Sequence, residues 1–137
     1  MRLLVIGAGM MGTAAAYDMA RSQTVQSITL ADNDPRRAKE GVRRVESLLQ
    51  LHHKADVVKN KVRAVELDAS DEKDATRLMR GHNAALSAVP YFFNLGLAKA
   101  AIRARCHFAD LGGNNTVVRK TFALAKEAAK RLAEANH

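Results

Sequence analysis

The chain has 137 residues, 47% of them hydrophobic, which is the length of one domain with enough apolar side chains to bury a core. Its formal net charge is +8, but the basic residues are scattered over several amphipathic segments and mixed with acids. The aromatics, only 4% of the chain, are not interleaved with them, so no nucleic-acid partner is expected. No run approaches the roughly 18 apolar residues of a membrane span, and the lone Cys106 excludes an internal disulfide; a cytoplasmic protein with no membrane partner is expected.

In chain order, residues 3–6 form a continuous apolar run that ends at glycines, as a strand covered on both faces should. A helix is expected over 10–21 and a second strand over 27–31. Asp34 and Pro35 then open a helix over 35–51. A carboxylate caps it, and proline's missing N–H costs nothing at the first helical position. The stripe Ala38, Val42, Val45 and Leu49 should lie on a sheet. Residues 51–61, with His52 and His53, read as the polar end of that helix and a loop. A third strand over 62–67, a helix over 71–80, a fourth strand over 84–89, a helix over 91–105 and a fifth strand over 106–109 follow. One last helix runs from 116 to about 135, with Val118, Phe122, Ala125, Ala129 and Leu132 spaced by four and three as a face to be buried.

Strands alternating with helices imply an α/β fold: a Rossmann-type doubly wound parallel sheet of about five strands in order 3-2-1-4-5, helices on both faces. Residues 1–137 read as a single dinucleotide-binding domain.

The informative motif is Gly7-Ala8-Gly9-Met10-Met11-Gly12, which directly follows the first strand and opens the first helix. Gly7 permits the turn, Gly9 removes a side chain from the path of a pyrophosphate, and Gly12 lets the helix pack closely on the sheet. The N–H groups over Met10 and Met11 then face the phosphates. Asp32 ends the second strand, 20 residues after Gly12, where a carboxylate accepts hydrogen bonds from the adenosine ribose and repels a 2′-phosphate. NAD is therefore expected ahead of NADP, although Asn33, Arg36 and Arg37 follow at once and would meet such a phosphate if the chain turned toward it.

Three more strand ends complete the expected crevice. Asp68 and Ala69 flank the adenine, or else Asp68 and Ser70 cap the next helix. Ser87, Ala88, Val89 and Pro90 are small enough for the cofactor to pass, and Asp110, with Gly112 and Gly113, lies near the nicotinamide.

VIGAGMMG at residues 5–12, SAVPYFFN at 87–94 and HFADLGGN at 107–114 together resemble the N-terminal cofactor domain of the saccharopine dehydrogenase and lysine dehydrogenase family. The resemblance spans nearly the whole chain. It implies oxidation at an amine-bearing carbon with hydride transfer to nicotinamide, on lysine, saccharopine or a related amino acid. Such enzymes resemble two-part molecules, with a sixth strand and a separate substrate domain. The chain stops at His137 before either, so the expectation is a cofactor unit inactive alone, its substrate and catalytic domain absent. An exposed strand edge and apolar patch would then favour a homo-oligomer. The competing reading is a non-catalytic module that binds NAD(H) or another adenine nucleotide or mediates dimerisation.

No catalytic residue and no metal site are assigned. His107 falls at the wrong end of its strand for the crevice, while His52, His53 and His82 are expected in solvated loops or helix ends. The pair His52-His53 lacks the i, i+4 spacing of a zinc site. Tyr91, at the mouth of the fourth strand, either touches the ribose or substrate or, as is more usual for an aromatic opening a helix beside Phe92 and Phe93, sits in the core.

Overall fold

The computed structural model describes residues 1–52 and 60–135. The middle of the expected loop over 51–61, including His53, lies outside the described residues. The strands are β1 (Arg2–Ile6), β2 (Ser27–Asp32), β3 (Val62–Glu66), β4 (Ala84–Ser87) and β5 (His107–Asp110). All pair in parallel, in the order β3-β2-β1-β4-β5, as the alternating sequence pattern requires.

The helices are α1 (Met10–Ala20), α2 (Pro35–His52), α3 (Glu72–Met79), α4 (Asn94–Ala104), α5 (Asn115–Phe122) and α6 (Ala125–Ala135). Two cores follow from the two sheet faces. Val5, Ile28 and Leu30 meet Ala16 and Ala20 of α1 and Val45 and Leu49 of α2. On the opposite face Leu4 and Ile6 meet Ala75 and Met79 of α3 and Leu97, Ala100 and Ala101 of α4. The alternation of Leu4 and Ile6 against Val5 is the period-two geometry of a strand, and both sides are buried because helices cover both. α2 starts as its sequence demands: Asp34 Oδ1 accepts the Arg36 N–H at 2.9 Å, and that bond above all holds the carboxyl below its ordinary range.

Two helices depart from expectation. The segment from Tyr91 begins as a 3-10 turn (Tyr91–Phe93), and α4 proper starts only at Asn94. Tyr91 and Phe92 are exposed rather than core, because a single three-residue turn at the sheet's rim has no second layer above it; Phe93 alone packs inward. The last helix is two. Leu124 donates its N–H to the Thr121 carbonyl, three residues back, and ends α5, while the Ala128 N–H to Leu124 begins the next run. Neither piece has a buried residue. Phe122 is 74% exposed and Leu132 65%, so resting on α4 does not bury the expected stripe.

Candidate functional site

The carboxyl edge of the sheet opens where strand order reverses between β1 and β4, and the diverging turns there leave a crevice of about 320 Å³. Gly7 leaves β1 at φ +104°, a conformation L side chains rarely adopt, and a Cβ there would sit 2.8 Å from the Ala88 carbonyl oxygen. Gly12 draws α1 onto that turn: its Cβ would fall 1.7 Å from the Gly7 carbonyl oxygen. Gly9 differs. Its φ of −74° suits any residue, and among the described residues no atom beyond its chain neighbours lies within 4 Å of where its Cβ would be. None of the described residues calls for glycine here. The space lies over the start of α1, whose first turn has neither a side-chain cap nor an acidic residue, so its N–H groups and positive dipole end are free for an anion. A diphosphate fits this cradle, and a side chain at Gly9 would fill it.

Asp32 is 6% exposed and braces two turns at once. Its Oδ2 accepts the Ala8 N–H at 2.9 Å, inside the glycine motif, and its Oδ1 accepts the Asp34 N–H at 2.9 Å and Arg37 Nη1 at 3.2 Å. Asn33 and Arg37 line the crevice beside it. On the far wall stand Asp68 and Ala69, beyond β3. Asp68 Oδ1 accepts the Ser70 hydroxyl at 2.6 Å and the Ser70 N–H at 2.9 Å, and these bonds lower its pKa. It does not cap α3; Asp71 does, accepting from Lys73 and Asp74. Ala88, Val89 and Pro90 close the wall after β4.

Four of the expected residues sit elsewhere. Ser87 is fully buried and donates to Asn94 Oδ1 at 2.6 Å, tying β4 to the start of α4 instead of facing the crevice. The Met10 and Met11 side chains stand 91% and 65% exposed, outside the crevice lining; their contribution to the cradle is backbone. Asp110 accepts the Gly112 N–H at 2.9 Å and lines not the crevice but a separate cavity of about 200 Å³ with Tyr91, Asn94 and Phe122. Sequence reasoning missed Ile6, Leu67 and Phe93 in the crevice. Ile6 and Leu67 were findable as strand-end residues; Phe93 was not, since only the 3-10 turn brings it there.

His82 overturns its expectation. It is 9% exposed, with Nδ1 2.8 Å from the Leu78 carbonyl oxygen and Nε2 2.8 Å from Thr29 Oγ1, at the opposite end of the sheet from the crevice. Burial lowers its pKa first, and the Arg63 and Arg2 charges lower it further. Cys106 is buried, its thiol pushed up to about 11 by desolvation, which makes it inert as a nucleophile.

A doubly wound sheet with a glycine cradle at the switch point, an acidic residue ending β2 and an open helix N-terminus defines a dinucleotide-binding domain. Residues 3–136 match the family model described as "Saccharopine dehydrogenase NADP binding domain". The chain belongs to that family and is a nicotinamide-dinucleotide-binding domain. Its fold is similar to that of apo saccharopine dehydrogenase (L-Glu forming) from Saccharomyces cerevisiae, at TM-score 0.68 and 18% identity, covering 87% of this chain and 23% of that one. It is also similar to a putative myo-inositol dehydrogenase from Sinorhizobium meliloti 1021, at TM-score 0.62 and 15% identity, covering 93% and 33%. A third is quinate dehydrogenase from Corynebacterium glutamicum in complex with NAD, at TM-score 0.51 and 17% identity, covering 78% and 43%. The chain spans between 23% and 43% of the length of these three structures.

Proposed function

We propose that this chain is the cofactor-binding unit of an amino-acid dehydrogenase of the saccharopine and lysine type, that it prefers NAD(H) to NADP(H), and that it is inactive alone. The observation that carries the dinucleotide reading is Gly9, a glycine no neighbour requires, facing the open N-terminus of α1. Gly7 and Gly12 hold the cradle's shape, Asp32 and Asn33 stand where the adenosine ribose is held, and Asp68, Ala69 and Val89 flank the adenine. Support for NAD(H) comes from Asp32, whose charge opposes a 2′-phosphate. Asp110 and Tyr91, in the next cavity, are proposed to face the nicotinamide end.

Gly7, Gly9 and Gly12 with Asp32 would hold the dinucleotide, which when bound would supply a hydride acceptor, the nicotinamide ring, for oxidation at an amine-bearing carbon. For that step a substrate carbon must be held within roughly 3 to 3.5 Å of the ring, with a base for the amine proton. Among the described residues neither the crevice nor the neighbouring cavity is lined by a histidine or lysine, and Asp110 already accepts the Gly112 N–H; the base and the substrate pocket are assigned, as part of this proposal, to a substrate domain outside this chain.

Calorimetric titration tests the binding claim. The wild-type chain is expected to bind NADH more tightly than NADPH, and Gly9→Val to lose both while keeping its circular dichroism. Unchanged affinity in Gly9→Val would remove the pyrophosphate assignment. In an alkaline assay with lysine or saccharopine and NAD, no reduced nicotinamide is expected from the chain alone. Clear turnover would instead put a complete site inside this domain. If binding held but no larger protein carrying this domain showed amine oxidation, the non-catalytic nucleotide-binding reading would replace the enzymatic one.

A further inference from the structure

We infer that Arg37 sets how strongly this domain discriminates between the two nicotinamide dinucleotides, by occupying an acceptor site on Asp32 that the ribose needs; this rests on the crevice being the dinucleotide site. A carboxylate offers about four lone-pair sites. Three on Asp32 are taken: Oδ2 by the Ala8 N–H, Oδ1 by the Asp34 N–H and by Arg37 Nη1. The two backbone donors belong to the turns after β1 and β2 and cannot leave without undoing them. Arg37 can. Its side chain is 56% exposed and reaches Asp32 through one N–H at 3.2 Å.

A ribose diol presents two hydroxyl donors, so full engagement by Asp32 requires Arg37 to step aside. A 2′-phosphate requires the reverse: it gains from a guanidinium, which can clasp two of its oxygens, and would suffer from an uncovered carboxylate. Arg37 thus penalises NAD(H) and favours NADP(H), narrowing the preference that Asp32 creates. Arg36 is not equivalent. It points outward at 92% exposure, pairs with Asp34, and is absent from the crevice lining.

The test measures dissociation constants for NADH and NADPH, by fluorescence of the reduced ring, in the full chain and in Arg37→Ala, Arg37→Gln and Arg36→Ala. Both Arg37 variants are expected to weaken NADPH and to leave NADH equal or tighter, raising the NADPH-to-NADH ratio of dissociation constants about tenfold, the scale of one charged hydrogen bond. Arg36→Ala is expected to leave that ratio alone. Equal changes for both dinucleotides in the Arg37 variants, no change in either, or a shift produced by Arg36→Ala would overturn the role of Arg37. Failure of the wild-type chain to bind either dinucleotide would overturn the dinucleotide reading with it.

Discussion

Three glycines in one motif do three different things, and substitution separates them. A Cβ on Gly12 meets the Gly7 carbonyl, backbone that cannot swing away, so Gly12→Ala forces α1 off its turn. The expected loss is about 1–3 kcal/mol, as for overpacking in a core, with a clear fall in melting temperature and in dinucleotide affinity. Among the described residues Gly9→Ala meets no atom beyond its chain neighbours and is expected to melt with the wild type. Equal melting of both variants would show that the cradle is looser than its geometry implies. His82 carries a pH dependence. A carbonyl faces Nδ1, so Nδ1 holds the hydrogen and Nε2 accepts from Thr29, whose oxygen in turn takes the Arg63 Nε–H at 3.0 Å. The folded chain therefore favours neutral His82, with a pKa below the ordinary 6.5. The unfolded chain binds the proton more readily, so this contribution is full above about pH 6.5 and is lost as pH falls below it. Urea midpoints between pH 7.5 and 5 should drop more steeply in the wild type than in His82→Gln, about matching if the network does not titrate.

At the scale of elements, caps and covered faces decide how much each helix matters. Asp71 caps α3 with two bonds at 3.0 Å, and α3 supplies Ala75 and Met79 to the core under β1. Asp71→Ala should cost about 1 kcal/mol in urea unfolding, and a variant as stable as wild type would mean that α3 is held by packing alone. The terminal helices are the opposite case. Phe122 and Leu132 are among the most exposed large apolar residues, so replacing either by serine should not lower stability.

For the whole molecule, apolar surface is exposed both beyond the β5 edge and on the uncovered part of one sheet face. Tyr91, Val118 and Phe122 line one cavity beyond the β5 edge. The sheet face that α1 and α2 cover is also open past β1, where Ala84 and Leu86 are half-buried and His107 and Ala109 exposed. Surface of this kind marks an interface, and we propose that the isolated chain self-associates through it. Light scattering should show mass rising with concentration, and less so in the double variant Phe122→Ser, Leu132→Ser. A monomer up to millimolar concentration would remove the proposal.

The sequence alone determined the strands, their order, the glycine motif and Asp32, because these depend on short-range chemistry: unbroken apolar runs, a turn only glycine can make, a carboxylate at a fixed distance along one βα unit. A periodic apolar stripe also announced α2 correctly, and the same rule misplaced the last helix. Periodicity shows that a face is apolar, not that anything lies against it; α5 and α6 rest on α4 and still leave Phe122 and Leu132 bare. Tertiary structure alone decided that Ser87 turns inward to Asn94, that Asp110 faces a second cavity, that His82 is buried and that Arg37 closes on Asp32. Each of these depends on which side chains the parallel strands and their crossovers bring together from distant segments, or on how a helix turn aims an arginine back over its own cap, and neither is written in the spacing of residues along the chain.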